Sequence, residues 1–218
     1  MLKINFLGDS ITEGWGSSSI DKCFVSLVGK NLNCVVRNYG IGGTRIAISQ
    51  GVSLDPKWDL YFGGRVDKMN HDADYVFVFG GTNDYGHGVS QFGQLDDTDP
   101  HTFYGGMDYL IKELLKHYRL EQLIFILPLY RFNETNPYGD GSKKVPGKIL
   151  SDYRSAMVEV LNKYGIKVLD IKDKIGKGED NPLLLDGLHP NDDGHQLIAE
   201  LVCEYIKGLE SIKTKQKD

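Results

Sequence analysis

The chain has 218 residues, 40% hydrophobic and 25% charged, values that suit one globular domain with a real core and exclude a disordered or fibrous architecture. Thirty acidic residues against 25 basic ones give a net charge of -5, and no lysine- or arginine-rich stripe interleaved with aromatics is present to track a phosphate backbone, so nucleic acid is excluded as a partner. The three cysteines, Cys23, Cys34 and Cys203, are odd in number and lack CxxC spacing, which argues against a disulfide framework and a zinc knuckle.

No stretch approaches the ~18 apolar residues of a membrane span. After Met1 and Lys3 the chain enters a short apolar run without the features of a secretory leader, and a soluble, cytoplasmic protein is expected. Glycine is frequent, 26 of 218 residues, about 12% against a usual ~7%, so many tight turns are expected.

Short branched runs over residues 2–7, 35–39, 75–79, 123–127 and 167–171 read as strands, and the segments between them favour crossover helices. Tyr109, Leu110, Glu113, Leu114 and Tyr118 sit at helical spacing, as do Ile149, Tyr153, Met157, Val160, Leu161 and Tyr164. A last apolar stripe runs from Leu197 through Leu201 and Tyr205 to Leu209, after a loop in which Asn191 or Asp192 would serve as N-cap. The alternation predicts a three-layer α/β/α sandwich, flavodoxin-like, around a five-stranded parallel sheet, with functional loops at the carboxyl ends of the strands. One domain is expected over residues 1–210, followed by a polar tail over 211–218 that frays. Two long glycine- and proline-rich loops, 84–101 and 130–147, are candidates for functional segments.

Four blocks carry possible chemistry, each at or beyond a predicted strand end. The first strand runs into Gly8, Asp9 and Ser10, where a serine is placed at the turn; taken alone, Asp9 or Ser10 would more often be a helix cap. The glycines of Gly40, Ile41, Gly42, Gly43 and Thr44 let backbone N–H groups approach a ligand, and Gly80, Gly81, Thr82, Asn83 and Asp84 add a side-chain amide donor. Near the other end, Asp186 precedes His189 by three residues, a spacing at which a turn can bring the carboxylate to Nδ1 and leave Nε2 to accept a proton. Histidines elsewhere occur singly, and His87, just past the Asn83 block, is the one placed to line a substrate entrance.

Together and in this order, from Gly8 to His195, the blocks resemble the SGNH hydrolases, also called the GDSL esterase/lipase family. The resemblance implies the same α/β sandwich, Ser10 as nucleophile, His189 as base and Asp186 as its orienting carboxylate. It also implies an oxyanion hole of the Ser10 N–H, Asn83 and one of the two adjacent glycines, Gly43 being preferred over Gly42. The implied activity is hydrolysis of small-molecule carboxylic esters through an acyl-enzyme, with no cofactor, metal or membrane partner.

Tyr85, His87, Tyr130 and Arg131, in the two long loops, are read as substrate-lining. Their mixture of aromatic faces and polar tips predicts short acyl groups such as acetyl on a carbohydrate, with a lysophospholipase or thioesterase as the alternative. Two rival readings have less support. The cluster Asp186, His189, Asp192, Asp193 and His195 has metal-ligand chemistry, but His195 falls inside the last predicted helix. A non-catalytic, flavodoxin-like ligand-binding module would leave Asp186 and His189 unexplained, and neither GxGxxG nor GxxxxGK[ST] is present.

Overall fold

The structure, a computed structural model, describes residues 1–53, 55–178 and 180–215. Five strands, β1 (Lys3–Gly8), β2 (Val35–Gly40), β3 (Tyr75–Phe79), β4 (Leu123–Ile126) and β5 (Lys167–Leu169), form one all-parallel sheet in the order β2-β1-β3-β4-β5. Seven helices are described: α1 (Ser10–Glu13), α2 (Phe24–Leu32), α3 (Thr82–Gly86), α4 (Phe103–Leu115), α5 (Leu150–Tyr164), α6 (Lys172–Ile175) and α7 (Asp192–Lys215). None of the described helices is long and apolar enough to cross a membrane.

Side chains that alternate along a strand feed the two faces in turn. Val76 and Val78 of β3, with Leu123 and Phe125 of β4, join α4 and α5 in one core, whereas Tyr75, Phe77 and Phe79, with Ile124 and Ile126, join α2 and α7 in the other. Both faces of the central strands are therefore buried, which is why these segments read as continuous apolar runs. The buried Asn5 of β1 has its amide satisfied, donating to the Asn70 carbonyl at 2.7 Å and to Tyr118 Oη at 3.0 Å.

Helices α4 and α7 begin before their predicted stripes, α4 ends at Leu115 short of Tyr118, and α5 matches its stripe. Helix α4 starts at Phe103, where the Thr102 hydroxyl caps it by accepting from the Gly105 N–H at 3.0 Å. Glycines interrupt the apolar pattern in its first turn because neighbours crowd them; a Cβ on Gly105 would lie 2.0 Å from the Asp99 carbonyl oxygen. Helix α2 is short, four of its nine residues are buried, and the sequence reading singles out no apolar stripe for the crossover there.

Asn191 is the N-cap of α7, its Oδ1 accepting from the Gly194 N–H at 3.0 Å. The helix then continues through 211–215, which the sequence reads as tail. Lys213 is held by Glu210 at 2.9 Å and over the Tyr75 ring at 4.2 Å, so the helix keeps contact with the body there; residues 216–218 lie outside the described residues.

Because β2 lies on one side of β1 and β3 on the other, consecutive connections diverge at the carboxyl end of β1, the crevice that open α/β sheets use for ligands. Phe77, fully buried, stacks on Phe6 of that strand with centroids 5.3 Å apart. Phe77→Ala is expected to cost about 3–5 kcal/mol in urea unfolding through the cavity it leaves; a loss below about 1 kcal/mol would show that this layer is not close-packed.

Candidate active site

Ser10 is the first residue of α1, so its N–H is one of the helix-start donors without an intrahelical acceptor. Asp9 sets up this turn as N-cap, its Oδ1 accepting from the Ile11 N–H at 3.1 Å. Its other oxygen, Oδ2, is buried with no hydrogen-bond partner among the described residues. Burial raises the Asp9 carboxyl to about 7; the Ile11 bond and Arg65 oppose the shift, and Asp84 adds to it.

The loop from β5 to α7 carries the other half. The Asp186 carboxylate closes its own turn, Oδ1 accepting from the N–H groups of Leu188 at 3.1 Å and His189 at 2.7 Å. Oδ2 lies 2.7 Å from His189 Nδ1, and His189 Nε2 lies 3.0 Å from Ser10 Oγ. The arrangement assigns the proton to Nδ1 and leaves Nε2 to accept from the serine hydroxyl. Burial would raise the Asp186 carboxyl, but the bonds from His189 and Leu188 outweigh it and hold the group below the usual carboxylate range, hence ionised at neutral pH.

A third element locks these two together. His195 is fully buried in the first turn of α7; the Phe24 N–H donates to its Nδ1 at 3.3 Å, so Nε2 carries the proton and donates to the Trp15 carbonyl at 3.1 Å. Burial lowers its pKa and favours the neutral ring. Helix packing is thus the role of His195, and both ring nitrogens are occupied by the backbone. Asp192 accepts from the Ser18 N–H at 2.8 Å and the Ser18 hydroxyl at 2.7 Å, a further tie between the two loops. No group of three or more potential metal ligands occurs among the described residues.

The loop after β2 presents the glycines. The Gly42 N–H donates to Glu13 Oε2 at 2.8 Å, whereas the Gly43 N–H has no acceptor among the described residues. Gly43 adopts φ +75°, and a Cβ there would lie 2.1 Å from Trp58 Cδ1, so only glycine fits. The Asn83 amide, at the start of α3, donates to the Thr44 carbonyl at 3.0 Å, which orients its second hydrogen.

A cleft of about 490 Å³ collects these groups: Ser10, Gly42, Gly43, Asn83 and His189 all line it. His87 lines it too, its Nε2 donating to the Gly43 carbonyl at 3.0 Å, as does Arg131, whose Nη1 donates to the Thr82 carbonyl at 3.2 Å.

Two of the four predicted lining residues are elsewhere. Tyr85 is fully buried, its hydroxyl donating to the carbonyls of Asn133 and Asn136, and its ring packs edge-on against Tyr153 in the core. Tyr130 donates to Asp173 at 2.7 Å beneath Arg154, away from the cleft. Among the described residues the tryptophan faces in the cleft are those of Trp15 and Trp58. Trp15 is 56% exposed with its ring 5.0 Å from that of His189, and the Trp58 ring is 4.9 Å from that of His87. Sequence signals for them are weak: Trp15 follows the serine block by five residues, and Trp58 lies in an irregular segment that only the tertiary fold places.

A protein-family model described as the GDSL-like Lipase/Acylhydrolase family matches residues 6–197, which span β1 to the first turns of α7 and include every group in this cleft. The chain belongs to that family. Among solved structures, a protein from Lactobacillus plantarum is 26% identical with a TM-score of 0.77, the match covering 95% of this chain and 97% of the other. A lipase/acylhydrolase from Enterococcus faecalis (23% identity, TM-score 0.67, 95% and 96% covered) shares the fold. So does a carbohydrate acetylesterase from Sinorhizobium meliloti (15% identity, TM-score 0.71, 96% and 100% covered). No curated protein matches the sequence.

Between about pH 4, the ordinary carboxyl range, and about 7, the folded chain keeps a proton on Asp9 that the unfolded chain has lost, so Asp9 makes stability fall as pH rises through that window. Asp9→Asn keeps the cap and removes this titration. Thermal midpoints measured from pH 4.5 to 8 are expected to slope less in the variant; identical slopes would show that Asp9 does not carry the dependence.

Proposed function

We propose that this family member is a serine ester hydrolase in which Ser10 is the nucleophile, His189 the general base and Asp186 the residue that orients the base. The observation that carries the reading is the continuous chain from Ser10 Oγ through His189 to Asp186, at 3.0 and 2.7 Å, opening into a cleft edged by the Gly43 N–H, which has no acceptor among the described residues. Oγ attacks the ester carbonyl carbon while its proton passes to Nε2, and the imidazolium is stabilised by the ionised Asp186. The carbonyl oxygen, now negative, is held by the N–H groups of Ser10 and Gly43 and by the Asn83 amide. Collapse of the tetrahedral species expels the alcohol, which takes the proton from Nε2; water then repeats the cycle on the acyl-enzyme and releases the acid.

Occupation of the Gly42 N–H by Glu13 supports Gly43 as the glycine donor. An ester hydrolase of this kind, and not a passive ligand-binding module, is expected to label with a fluorophosphonate at Ser10. Ser10→Ala should abolish labelling and lower kcat at least about 10³-fold with the fold intact, and Asn83→Ala should lower kcat roughly 10²–10³-fold. Turnover that survives in folded Ser10→Ala protein would overturn the assignment.

The cleft also supports a short acyl group on a polar alcohol such as a sugar. Among the described residues Ile41 and Leu188 are its only aliphatic lining residues, too little surface for a chain that gains ~0.8 kcal/mol per buried methylene. Trp15 and Trp58 supply flat faces, and Glu13, Asp55, Lys57 and Asp140 supply hydrogen-bonding edges. The acetylesterase whose fold the chain shares acts on carbohydrate by its description, which favours the same class. With p-nitrophenyl esters, kcat/KM is expected to peak at acetyl to butyryl. A steady rise through octanoyl would favour the lysophospholipase or thioesterase reading instead, and absence of acetate release from acetylated saccharides would remove the sugar.

A further inference from the structure

The long loops 84–101 and 130–147, singled out by their length, do not spend most of their residues on the catalytic cleft. Together with the start of α5 they enclose a second cavity of about 940 Å³, which shares no lining residue with the cleft. Its aromatic wall is Phe92 and Tyr153, ring centroids 5.0 Å apart and nearly perpendicular, both anchored in the core packing around α5. Its mouth has Val89 on one loop and Val145 on the other, 58% and 72% exposed, an apolar pair facing solvent across a concave surface.

Charge is what distinguishes this cavity from an ordinary surface groove. Lys143, Lys144 and Lys148 line it, and no aspartate or glutamate does, in a chain where acidic residues outnumber basic ones 30 to 25. None of the three is in an ion pair among the described residues. Lys143 donates to the Asp84 carbonyl at 3.3 Å and feels the Asp84 and Asp140 carboxylates without a direct ion pair to either, and its ammonium sits 5.5 Å from the Tyr153 ring centre. The Lys148 ammonium lies 5.7 Å from the Phe92 ring centre. Some other surface lysines do find carboxylates, as Lys112 does with Asp108 at 2.6 Å and Lys163 with Asp96 at 2.8 Å; what sets this cavity apart is three lysines on one wall with no carboxylate lining it.

We propose that this cavity is a binding site for an amphiphilic monocarboxylate, its apolar body against Phe92, Tyr153 and the two valines and its carboxylate among the three lysines. An anion there gains attraction from three cations without breaking an existing ion pair, and the partial burial of Lys143 reduces the water that must be stripped from it. A neutral lipid would leave the lysines unmatched, and a cation would be repelled. The site is independent of the esterase reading, because nothing in it touches Ser10 or His189.

Decanoate, kept below micelle formation, is the probe, and binding is read by isothermal titration or ligand-observed NMR on protein whose Ser10 has been blocked with a fluorophosphonate or replaced by alanine. One saturable site is expected, weakened by added salt. The double variant Lys144→Gln/Lys148→Gln, at two exposed positions, should weaken it about three- to tenfold. Val145→Asp should weaken it further by placing a like charge at the mouth, while decylamine should bind at least tenfold more weakly than decanoate. Absence of saturable decanoate binding, equal affinity for decylamine, or unchanged affinity in both variants with their thermal midpoints intact would overturn the proposal.

Discussion

A carboxylate buried without donors is among the most expensive things a fold can contain, and the loops that build this cleft are arranged around avoiding it at Asp84. Its two oxygens accept from the N–H groups of Ile46 at 3.0 Å and Ala47 at 2.9 Å, a pincer on the backbone of the loop that follows β2. Burial raises the carboxyl even so, with both backbone bonds pulling against it. Fixing that loop beside α3 is what brings the Thr44 carbonyl to the Asn83 amide and sets the Gly43 N–H beside it. Arg65 completes the frame from below, donating to the Tyr39 carbonyl at 2.7 Å and to the Gly8 carbonyl and Thr44 hydroxyl at 3.0 Å, so the ends of β1 and β2 cannot drift apart.

The two histidines near the carboxyl end show how environment divides labour between identical side chains. His189 faces a carboxylate on one side and a hydroxyl on the other, partners that suit a ring able to gain and lose a proton. His195, six residues later, faces a backbone N–H and a backbone carbonyl, which accept only one protonation state and hold the ring as a brace. Close approach sharpens the arrangement: a Cβ on Gly16, whose φ is +90°, would lie 2.2 Å from the Pro190 carbonyl oxygen.

Much of this was legible in the residues. The strands could be read because burial of both sheet faces leaves an unbroken apolar run in Tyr75–Phe79 and Leu123–Ile126. The blocks around Ser10, Gly43, Asn83 and His189 were legible as strand-end motifs in a fixed order, since parallel strands deliver their carboxyl ends to one edge. What composition could not reveal is how an irregular loop folds back. Tyr85 and Tyr130 looked available because their loops are polar, yet the Tyr85 ring is what the core needs and Tyr130 is held beneath Arg154. Trp58 and Asp140 reach the cleft through loops whose course depends on side-chain bonds such as Arg45 to Asp59, at 3.0 Å, a pairing that no periodicity announces.

The order of the strands has a temporal consequence. Ser10, Gly43 and Asn83 all come from the first three strands, which are adjacent in the sheet, whereas Asp186 and His189 follow the last edge strand. A nascent chain that has emerged as far as β5 would hold Ser10, Gly43 and Asn83 yet lack the His189 ring that faces the Ser10 hydroxyl. The contact between the Ser10 hydroxyl and His189 would then form only once α7 has been made and His195 seats between Trp15 and Phe24, so the cleft is assembled by the docking of segments from opposite ends of the fold.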